Sequence, residues 1–325
     1  MEKTPRKKKP ASKRASPGTK QQRIPKPLLS SPSGNGLRAK PRKAGKKDAG
    51  RKSRAASTRR PISVIDLLRL PKGDYRDIGE LSFAKRSTRS AAVAAAAAAV
   101  DARVRVADTR LSPFRKVCDL LITARDGTLH TGTAWFISPR TLVTAGHCLS
   151  VFRPGTPVHG LVNSIILMPA RNGENSAGSS AFGWLQVTQP SFQVHPGWAN
   201  NGILDLDFGA IILPTNTPLG ATVGFFGFGH FEDQQLDENL ATISGYPDDV
   251  PEGTQWFETN RIKEVNPTRV FYDIFTATGQ SGSPVFFGNA TQQVACAIHN
   301  FGATPLNSGV RINPQVVAQL NAWRF

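Results

Sequence analysis

The chain has 325 residues and a formal net charge of +18, but that charge is unevenly distributed. Residues 1–100 carry 27 basic and 6 acidic side chains, a net charge of +21, whereas residues 101–325 carry 14 basic and 17 acidic side chains, a net charge of −3. This excludes a uniformly basic, nucleic-acid-binding globule. There is no run of 18 apolar residues, which argues against a conventional membrane span.

The N-terminal region is predicted to be a basic extension rather than a folded domain. Residues 1–60 are rich in Lys, Arg, Pro, Ser and Gly. They bury too little apolar surface to offset the entropy of ordering, and we expect them to be disordered. Residues 61–90 hold a short apolar patch suited to a short helix or a pro-segment contact, and residues 91–100 are Ala-rich and favour a helix. We therefore treat 1–95 as an extension or pro-segment that precedes a domain at 96–325.

The extension also bears on partners and location. A tail of this charge is suited to contact nucleic acid or an anionic lipid surface, although a solvated pro-segment explains the same composition. The first ten residues have no apolar stretch behind them and do not form an ordinary secretory signal. An Arg59-Arg60 pair before a short apolar run and the Ala-rich segment are two weaker export cues.

From residue 101 the sequence changes to short β-rich runs separated by Gly and Pro. This spacing is typical of an all-β barrel or sandwich and not of alternating β-α units. The predicted strands are 117–123, 133–138, 142–144, 161–168, 208–213, 241–244, 269–275, 283–287 and 294–299.

The end of the chain has a different pattern. Asn313 is suited to cap a helix, and Pro314 fits the first helical position. The apolar residues that follow fall on one helical face, which predicts a final helix packed on the body. They are Val316, Val317, Leu320 and Trp323.

Three segments of the body carry residues suited to catalysis. His147 follows an apolar strand, Asp207 directly precedes another, and Ser281 lies in a Gly-rich turn between two more. A serine hydroxyl becomes a nucleophile only with a base in reach and a carboxylate that orients that base. The chain order His, Asp, Ser is that of the chymotrypsin arrangement and differs from subtilisins and α/β-hydrolases. Asp205 is the alternative carboxylate, and Asp207 is favoured because it adjoins the strand.

These segments resemble the chymotrypsin-like serine proteases and, within them, the bacterial glutamyl endopeptidases. Residues 144–148 match the histidine block of that family, and 207–212 are similar to its aspartate block. Residues 279–286 are similar to its nucleophile block, with Ser283 in place of a second Gly. Residues 104–109 and 113–115 look like its mature N-terminal stretch, so the resemblance covers about residues 100–325 and leaves out 1–95.

The resemblance implies a specific fold and activity. The fold would be all-β, with two antiparallel six-stranded β-barrels at about 104–215 and 216–312, an active site in the cleft between them and the C-terminal helix packed last. The activity would be that of a monomeric serine endopeptidase that cleaves protein or peptide substrates through an acyl-enzyme without a cofactor. An extracytoplasmic or secreted location is favoured by the same resemblance.

The site residues implied by the resemblance follow residue by residue. His147 would be the general base, Asp207 its orienting carboxylate and Ser281 the nucleophile. The backbone amides of Gly279 and Ser281 would form the oxyanion hole. No C-x-x-C or H-E-x-x-H motif occurs, so no metal site is predicted.

Substrate preference is also implied by the resemblance. Residues 298–302 are similar to the strand that lines the primary specificity pocket in glutamyl endopeptidases, where a His and a Thr bind the substrate carboxylate. His299 and Thr276 fit those positions, which implies cleavage after Glu or, less often, Asp. Two features depart from the family. Asn300 replaces the usual Trp after the His, and the loop before this segment contains about three extra residues.

A further departure concerns activation. Gln280 stands where digestive chymotrypsin-like enzymes have the Asp that pairs with a newly made N-terminus. We therefore expect that ion-pair switch to be absent, although 1–95 can still be a segment that is removed.

The cysteines leave one question open. Cys148 follows the His, as in many relatives, but the usual partner position is occupied by Gly132. Cys118 is the remaining nearby candidate, so a Cys118–Cys148 disulfide and two free thiols are both open for an exported protein. Cys296 lies in an apolar run and is predicted to be a buried free thiol.

Two other functions are compatible with the sequence. One is a binding protein on an inactive protease fold, which the intact His, Asp, Ser and Gly-rich turn disfavour. The other is a binder of nucleic acid or an anionic surface that acts through the extension, and this does not exclude proteolysis.

Overall fold

This computed structural model describes residues 76–77, 101–174, 180–288, 291–303 and 306–325. These residues belong to one compact unit, Arg59–Phe325. The predictions for the extension, including disorder over 1–60 and a helix over 91–100, fall outside the described residues. Arg76–Asp77 are the exception, and they form a short strand.

The regular structure of the body is mostly strand, as the sequence predicts. In the first half these are β1 Arg76–Asp77, β2 Val104–Arg105, β3 Val117–Thr123, β4 Leu129–Phe136, β5 Thr141–Thr144, β6 Ser150–Val151, β7 Gly160–Leu161, β8 Ser164–Pro169, β9 Leu185–Thr188, β10 Phe192–Val194 and β11 Gly209–Ile212. In the second half they are β12 Gly227–Phe228, β13 Leu240–Gly245, β14 Trp256–Val265, β15 Arg269–Tyr272, β16 Pro284–Gly288, β17 Gln293–Phe301 and β18 Asn307–Arg311.

The first sheet has the strand order β10-β11-β5-β4-β3-β8-β9, and β1 adds to β4 in parallel. Within the described residues no pairing joins its two outer strands, so this sheet is a half-barrel. The short strands β6 and β7 pair separately.

The second sheet closes into a six-stranded barrel. Its order is β17-β16-β13-β14-β15-β18, and β18 pairs back onto β17. Two short strands add at its rim, β2 on β14 and β12 on β17. The all-β fold with two barrel-like sheets is therefore confirmed, with full closure in the second sheet alone among the described strands.

Short helices connect the strands. The described α-helices are α1 Gly146–Leu149, α2 Pro196–Asn201, α3 Leu219–Val223, α4 Asp233–Leu236 and α5 Pro314–Ala322. The predicted final helix is confirmed as α5, because the Asn313 side chain accepts a hydrogen bond from the backbone N–H of Val316 at 3.0 Å and Pro314 is the first helical residue. None of the helices described here has both the length and the apolar character needed to cross a bilayer.

A buried apolar cluster joins the two sheets. It combines Trp135 of β4, Phe286 of β16 and Leu320 of α5, each almost fully buried. Burial of such large apolar side chains from both sheets stabilises the packing of one sheet against the other. The α1 helix of the first sheet and the 277–283 turn of the second are thereby placed against each other.

β14, the longest strand in the described part of the chain, was not predicted from the sequence. Its sequence from Trp256 to Val265 contains charged and polar residues, and only Glu258 and Ile262 are buried along it. Runs of apolar residues identified central strands such as β3 and β16, whereas β18, which also has neighbours on both sides, was not predicted either. β14 pairs with both β13 and β15 while one face stays toward solvent, so its sequence lacks that signal.

Candidate active site

Two hydrogen-bond contacts link His147 and Asp207. The Asp207 Oδ2 lies 2.7 Å from the ring Nδ1 of His147, and the Asp207 Oδ1 accepts a hydrogen bond from the His147 backbone N–H at 2.7 Å. Both side chains are fully buried. Asp205, the alternative carboxylate, instead accepts a hydrogen bond from Thr268 Oγ1 at 3.0 Å.

Local structure explains how the pair forms. His147 lies in α1, directly after β5, and Asp207 lies just before β11, which pairs with β5. A Cβ built on Gly146 would lie 3.0 Å from Asp207 Oδ1 and 2.8 Å from the Trp198 ring, so a larger residue would push the carboxylate away. The Trp198 ring also lies edge-on to the His147 ring, with centroids 6.1 Å apart.

The environment of His147 favours a bound proton. Burial alone lowers its pKa because it disfavours the imidazolium cation. The Asp207 carboxylate and the Cys148 side chain together outweigh burial and raise the pKa of His147 well above its usual value. The pair is therefore suited to accept a proton at the ring and stabilise the resulting cation.

Asn300 makes a contact with Asp207 that was not predicted from the sequence, where Asn300 was noted only as a departure from the family. Its Nδ2 donates to Asp207 Oδ2 at 3.2 Å and to the Asp207 carbonyl at 3.3 Å. The Asn300 Oδ1 accepts from Arg269 Nη2 at 3.2 Å, which sets the orientation of the amide. Only its position directly after His299 on an apolar strand could have signalled this role.

The turn that carries Ser281 lies against β4 and α1. The Thr133 N–H donates to the Ser281 carbonyl at 2.8 Å, and Thr133 Oγ1 donates to the Gly279 carbonyl at 2.9 Å. The Sγ of Cys148 lies 3.7 Å from the Ser281 carbonyl. Since Cys148 directly follows His147, the structure brings Ser281 next to the histidine segment, and Ser281 is 8% exposed.

The same turn fixes the direction of two backbone amides. The Asp248 N–H donates to the Thr278 carbonyl at 2.9 Å, and the Ser283 N–H donates to the Gln280 carbonyl at 3.0 Å. In a trans peptide group the carbonyl and the N–H point in opposite directions. The N–H groups of Gly279 and Ser281 therefore point away from those partners.

Gly279 is required at its position. Its φ is +85°, and a Cβ there would lie only 2.4 Å from the Tyr246 carbonyl oxygen. Glycine alone tolerates both the left-handed conformation and the close approach. Gln280 then braces the turn, because its Oε1 accepts a hydrogen bond from the Ala277 N–H at 2.9 Å.

His299 lies on β17, directly beside the Ser281 turn. The Gly282 N–H donates to the His299 carbonyl at 2.7 Å, and the His299 N–H donates to the Ser283 carbonyl at 2.9 Å. Its ring Nδ1 lies 2.6 Å from Tyr272 Oη. Burial, assisted by the charges of His147 and Arg269, lowers the pKa of His299 to about 3, while a backbone contact at Ser308 acts in the opposite direction.

Thr276 lies in the loop between β15 and the Ser281 turn and is partly exposed. The structure thus places both residues of the expected carboxylate pocket on segments that adjoin the turn.

All three cysteines are buried free thiols in the structure, so it contains no Cys118–Cys148 disulfide. Cys148 points toward Gly132, since a Cβ built on that glycine would lie 2.9 Å from the Cys148 Sγ. Cys118 lies on β3 opposite Ala134, two pairs along from the Leu120–Gly132 pair. Burial raises the pKa of the Cys296 thiol to about 12, as expected for an inert core residue.

Known proteins with similar sequences are proteases. The chain is 31% identical over 232 residues to a glutamyl endopeptidase from Bacillus licheniformis. The matched region covers 69% of this chain and 67% of that protein. It is 30% identical over 225 residues to a Bacillus subtilis protein named extracellular metalloprotease, with 69% and 68% coverage. Within the described part of this chain, no group of three or more His, Cys, Asp or Glu side chains is placed to hold a metal ion. No model of a known protein family matches the chain.

Solved structures show the same fold. A Glu endopeptidase solved in complex with MPD matches with a TM-score of 0.58 and 24% identity, over 70% of this chain and 98% of that one. A thermostable serine protease, AL20, matches with a TM-score of 0.52 and 18% identity, over 64% and 96%. These structures establish the fold, and the match to the Bacillus licheniformis enzyme establishes the family. The chain therefore belongs to the glutamyl endopeptidases among the chymotrypsin-like serine proteases and is a serine endopeptidase.

Proposed function

We propose that this protein hydrolyses peptide bonds with Ser281 as nucleophile, His147 as general base and Asp207 as the carboxylate that orients the base. The observation that carries the proposal is the Asp207 carboxylate, which is bonded to both the ring and the backbone N–H of His147 at 2.7 Å. This arrangement places the ring proton on Nδ1. Nε2 then carries the lone pair of the ring and would take the Ser281 hydroxyl proton.

The proposed reaction uses these three side chains. Ser281 Oγ attacks the carbonyl carbon of the substrate while its proton passes to His147 Nε2. The imidazolium then gives that proton to the departing amine, which leaves an acyl-enzyme on Ser281. A water molecule repeats the sequence, with His147 again as base, and releases the acid product.

The backbone amides of Gly279 and Ser281 are proposed to bind the oxyanion. Support comes from the Thr278 and Gln280 carbonyls, which are held by Asp248 and Ser283 on the other side of their peptide planes. Two amides fixed in this way need no rearrangement when the negative charge develops, which is the main electrostatic contribution in such sites.

We propose that the enzyme prefers Glu, or less often Asp, on the acyl side of the scissile bond. The low pKa of His299 keeps its ring neutral. If the Tyr272 hydroxyl donates to Nδ1, the ring proton lies on Nε2 and is a donor for a substrate carboxylate. The partly exposed Thr276 hydroxyl would supply a second donor. The name of the Bacillus licheniformis relative agrees with this preference.

We also propose that the protein acts outside the cytoplasm. One relative carries the word extracellular in its name. The extension would then be a pro-segment, and contact of its basic residues with an anionic partner remains an independent proposal.

The test compares the full chain with its Ser281→Ala variant on a mixed peptide library, with cleavage products read by mass spectrometry. Cuts after Glu or Asp that disappear in Ser281→Ala are expected, whereas Ser191→Ala, in a surface turn before β10, should retain them. Labelling of Ser281 by a fluorophosphonate provides a second readout. Absence of both cleavage and labelling in the folded protein would overturn the proposed mechanism.

A matched peptide pair tests the preference separately. Peptides with Glu or Gln before the scissile bond differ only in charge, so their kcat/KM ratio reports carboxylate recognition. Thr276→Val should lower that ratio and leave the activity on the Gln peptide nearly unchanged. Cleavage after other residues, lost in Ser281→Ala, would preserve the protease and refute the acidic pocket.

A further inference from the structure

A second recess lies beside the Ser281 turn, between β4 and the loop that joins β13 to β14. It has a volume of about 80 Å³, several times the roughly 10–15 Å³ that one water needs. It therefore has room for an amino-acid side chain. We call it the β4 cavity, and its lining includes the charged residues Asp119, Arg171, Asp248 and Glu252 and the hydroxyl residue Thr131.

The β4 cavity adjoins the proposed oxyanion hole. A Cβ built on Gly279 would lie 3.2 Å from Thr131 Oγ1 and 3.3 Å from the Asp248 backbone nitrogen. Gly279 is two residues from Ser281, a span of at most about 7 Å. A peptide bound at Ser281 therefore has its neighbouring residues within reach of the cavity.

The position of the cavity along the turn indicates which part of the substrate it meets. β17, with His299, contacts the turn through Gly282 and Ser283. The β4 cavity borders the turn at its other end, at Gly279. If the acyl side of the substrate lies along His299, the leaving-group side runs toward the cavity.

The charges in the cavity do not balance. Arg171 donates to Asp119 Oδ2 at 2.7 Å and to Glu252 Oε1 at 2.6 Å. The Arg171 and Asp119 side chains are almost fully buried, whereas the Glu252 side chain is 21% exposed. Asp248 is exposed and accepts a hydrogen bond from Thr278. Three carboxylates thus face one guanidinium, and the excess negative charge lies toward the opening.

Thr131 adds an independent indication of a ligand. The residue is only 9% exposed, and its Oγ1 has no hydrogen-bond partner among the side chains that the structure describes. Buried polar atoms in folded proteins are nearly always paired. A hydroxyl that lines a cavity of this size is therefore suited to accept a hydrogen bond from a bound group.

We propose that the β4 cavity recognises a Lys or Arg side chain within the first three residues after the scissile bond. Asp248 and Glu252 would attract the cation, and the Thr131 hydroxyl would accept a hydrogen bond from one of its N–H groups. The apolar wall at Leu121 and Val250 would pack on the methylene stem of the same side chain. This rests on the proposed function. The edge of β4 here already pairs with an extended segment, since Asp77 of β1 lies opposite Thr131.

The first experiment measures kcat/KM for the full chain on peptides that differ only at one leaving-group position, with Lys or the uncharged norleucine. A roughly fivefold preference for Lys is expected, near the upper range for partly exposed ion pairs. The preference should fall in Asp248→Asn, which keeps the oxygen that accepts from Thr278, and in Glu252→Gln. Asp237→Asn and Glu264→Gln remove exposed carboxylates outside the cavity lining and should leave it unchanged.

The second experiment does not require catalysis. The full-length Ser281→Ala variant is titrated with fluorescent Lys and norleucine peptides at low and high salt. Tighter binding of the Lys peptide, weakened by salt and by Asp248→Asn, supports the proposal. Equal dissociation constants would overturn it even in an active protease, whereas Lys-selective binding without cleavage in the wild type would count against the proposed function alone. β1 is present in every sample, so its effect cancels in the ratio.

Discussion

The Nδ2 of Asn300 lies 3.2 Å from the same Asp207 oxygen, Oδ2, that is bonded to the His147 ring. The carboxylate therefore has donors from two directions, the first sheet through His147 and the second barrel through Asn300. Arg269, only 8% exposed, holds the other end of the Asn300 amide. This contact links the orientation of Asp207 to the packing of the two sheets.

Asn300→Ala should lower kcat about tenfold with little change in KM, because one hydrogen bond to a charged group is lost, equivalent to about 1.4 kcal/mol. Steady-state kinetics on a Glu peptide measure this. Asn216→Ala, at an exposed position, is the matched control. An unchanged kcat in a folded Asn300→Ala protein would show that His147 alone orients Asp207.

The pH dependence of kcat/KM should follow the ionisation of His147. A base must be unprotonated to act, and Asp207 raises the pKa of His147 above 6.5. Activity should therefore rise with pH through a midpoint above that value. Asp207→Asn removes the charge that raises the pKa, so its midpoint should move to lower pH while kcat falls by about 10⁴. Asp205→Asn should leave the midpoint in place, and an equal shift in both variants would contradict the assignment.

Gly279→Ala should lose most activity and some stability. Its φ of +85° disfavours any side chain, and the added Cβ would meet the Tyr246 carbonyl at 2.4 Å. Gly127 has the same φ of +85° with no atom within 4 Å of a built Cβ, so Gly127→Ala isolates the conformational cost of about 1–2 kcal/mol. Thermal unfolding and kcat are the measurements. Similar stability losses in the two variants would show that the loop at Tyr246 moves aside at little cost in folding free energy.

Gly132→Cys should form a disulfide with Cys148 under oxidising conditions. The built Cβ lies 2.9 Å from the Cys148 Sγ, about the separation between a Cβ and the far sulfur of a disulfide. Closing a loop of this length should stabilise the fold by about 3 kcal/mol. Thiol titration in denaturant should find two free thiols instead of four, and Gly132→Ala controls for the added methyl group. Four free thiols after oxidation would refute the geometry.

Arg76→Pro/Asp77→Pro should raise kcat/KM for peptides with several leaving-group residues. Proline removes the N–H groups that β1 needs to pair with β4 at His130 and Thr131. Loss of one such bond, worth about 1 kcal/mol, corresponds to roughly a fivefold gain if β1 and the substrate compete. A substrate with a small chromophore as leaving group should show no gain, and Lys8→Pro/Lys9→Pro is the control. Equal gains on both substrates would contradict competition at this edge.

Several elements could be predicted because their signals are local. The strand at 117–123 was predicted with the bounds the structure has, and the Asn313-Pro314 pair predicted the start of α5. Capping and apolar runs act over a few residues, so they can be read without the fold. β14 was not predicted, because its stability comes from two neighbouring strands rather than from its own apolar content.

The candidate site divides in the same way. The order of His147, Asp207 and Ser281 within their motifs predicts the chemistry from sequence alone, since each motif is a short strand or turn with a fixed requirement. That Asn300 contacts Asp207, that Cys148 faces Gly132 and that Thr131 borders a charged cavity depend on residues far apart in the chain. The packing of the half-barrel against the closed barrel decided the first and third of these contacts, and packing within the half-barrel decided the second. Side-chain proximity of this kind is set by burial and strand register, which no local pattern encodes.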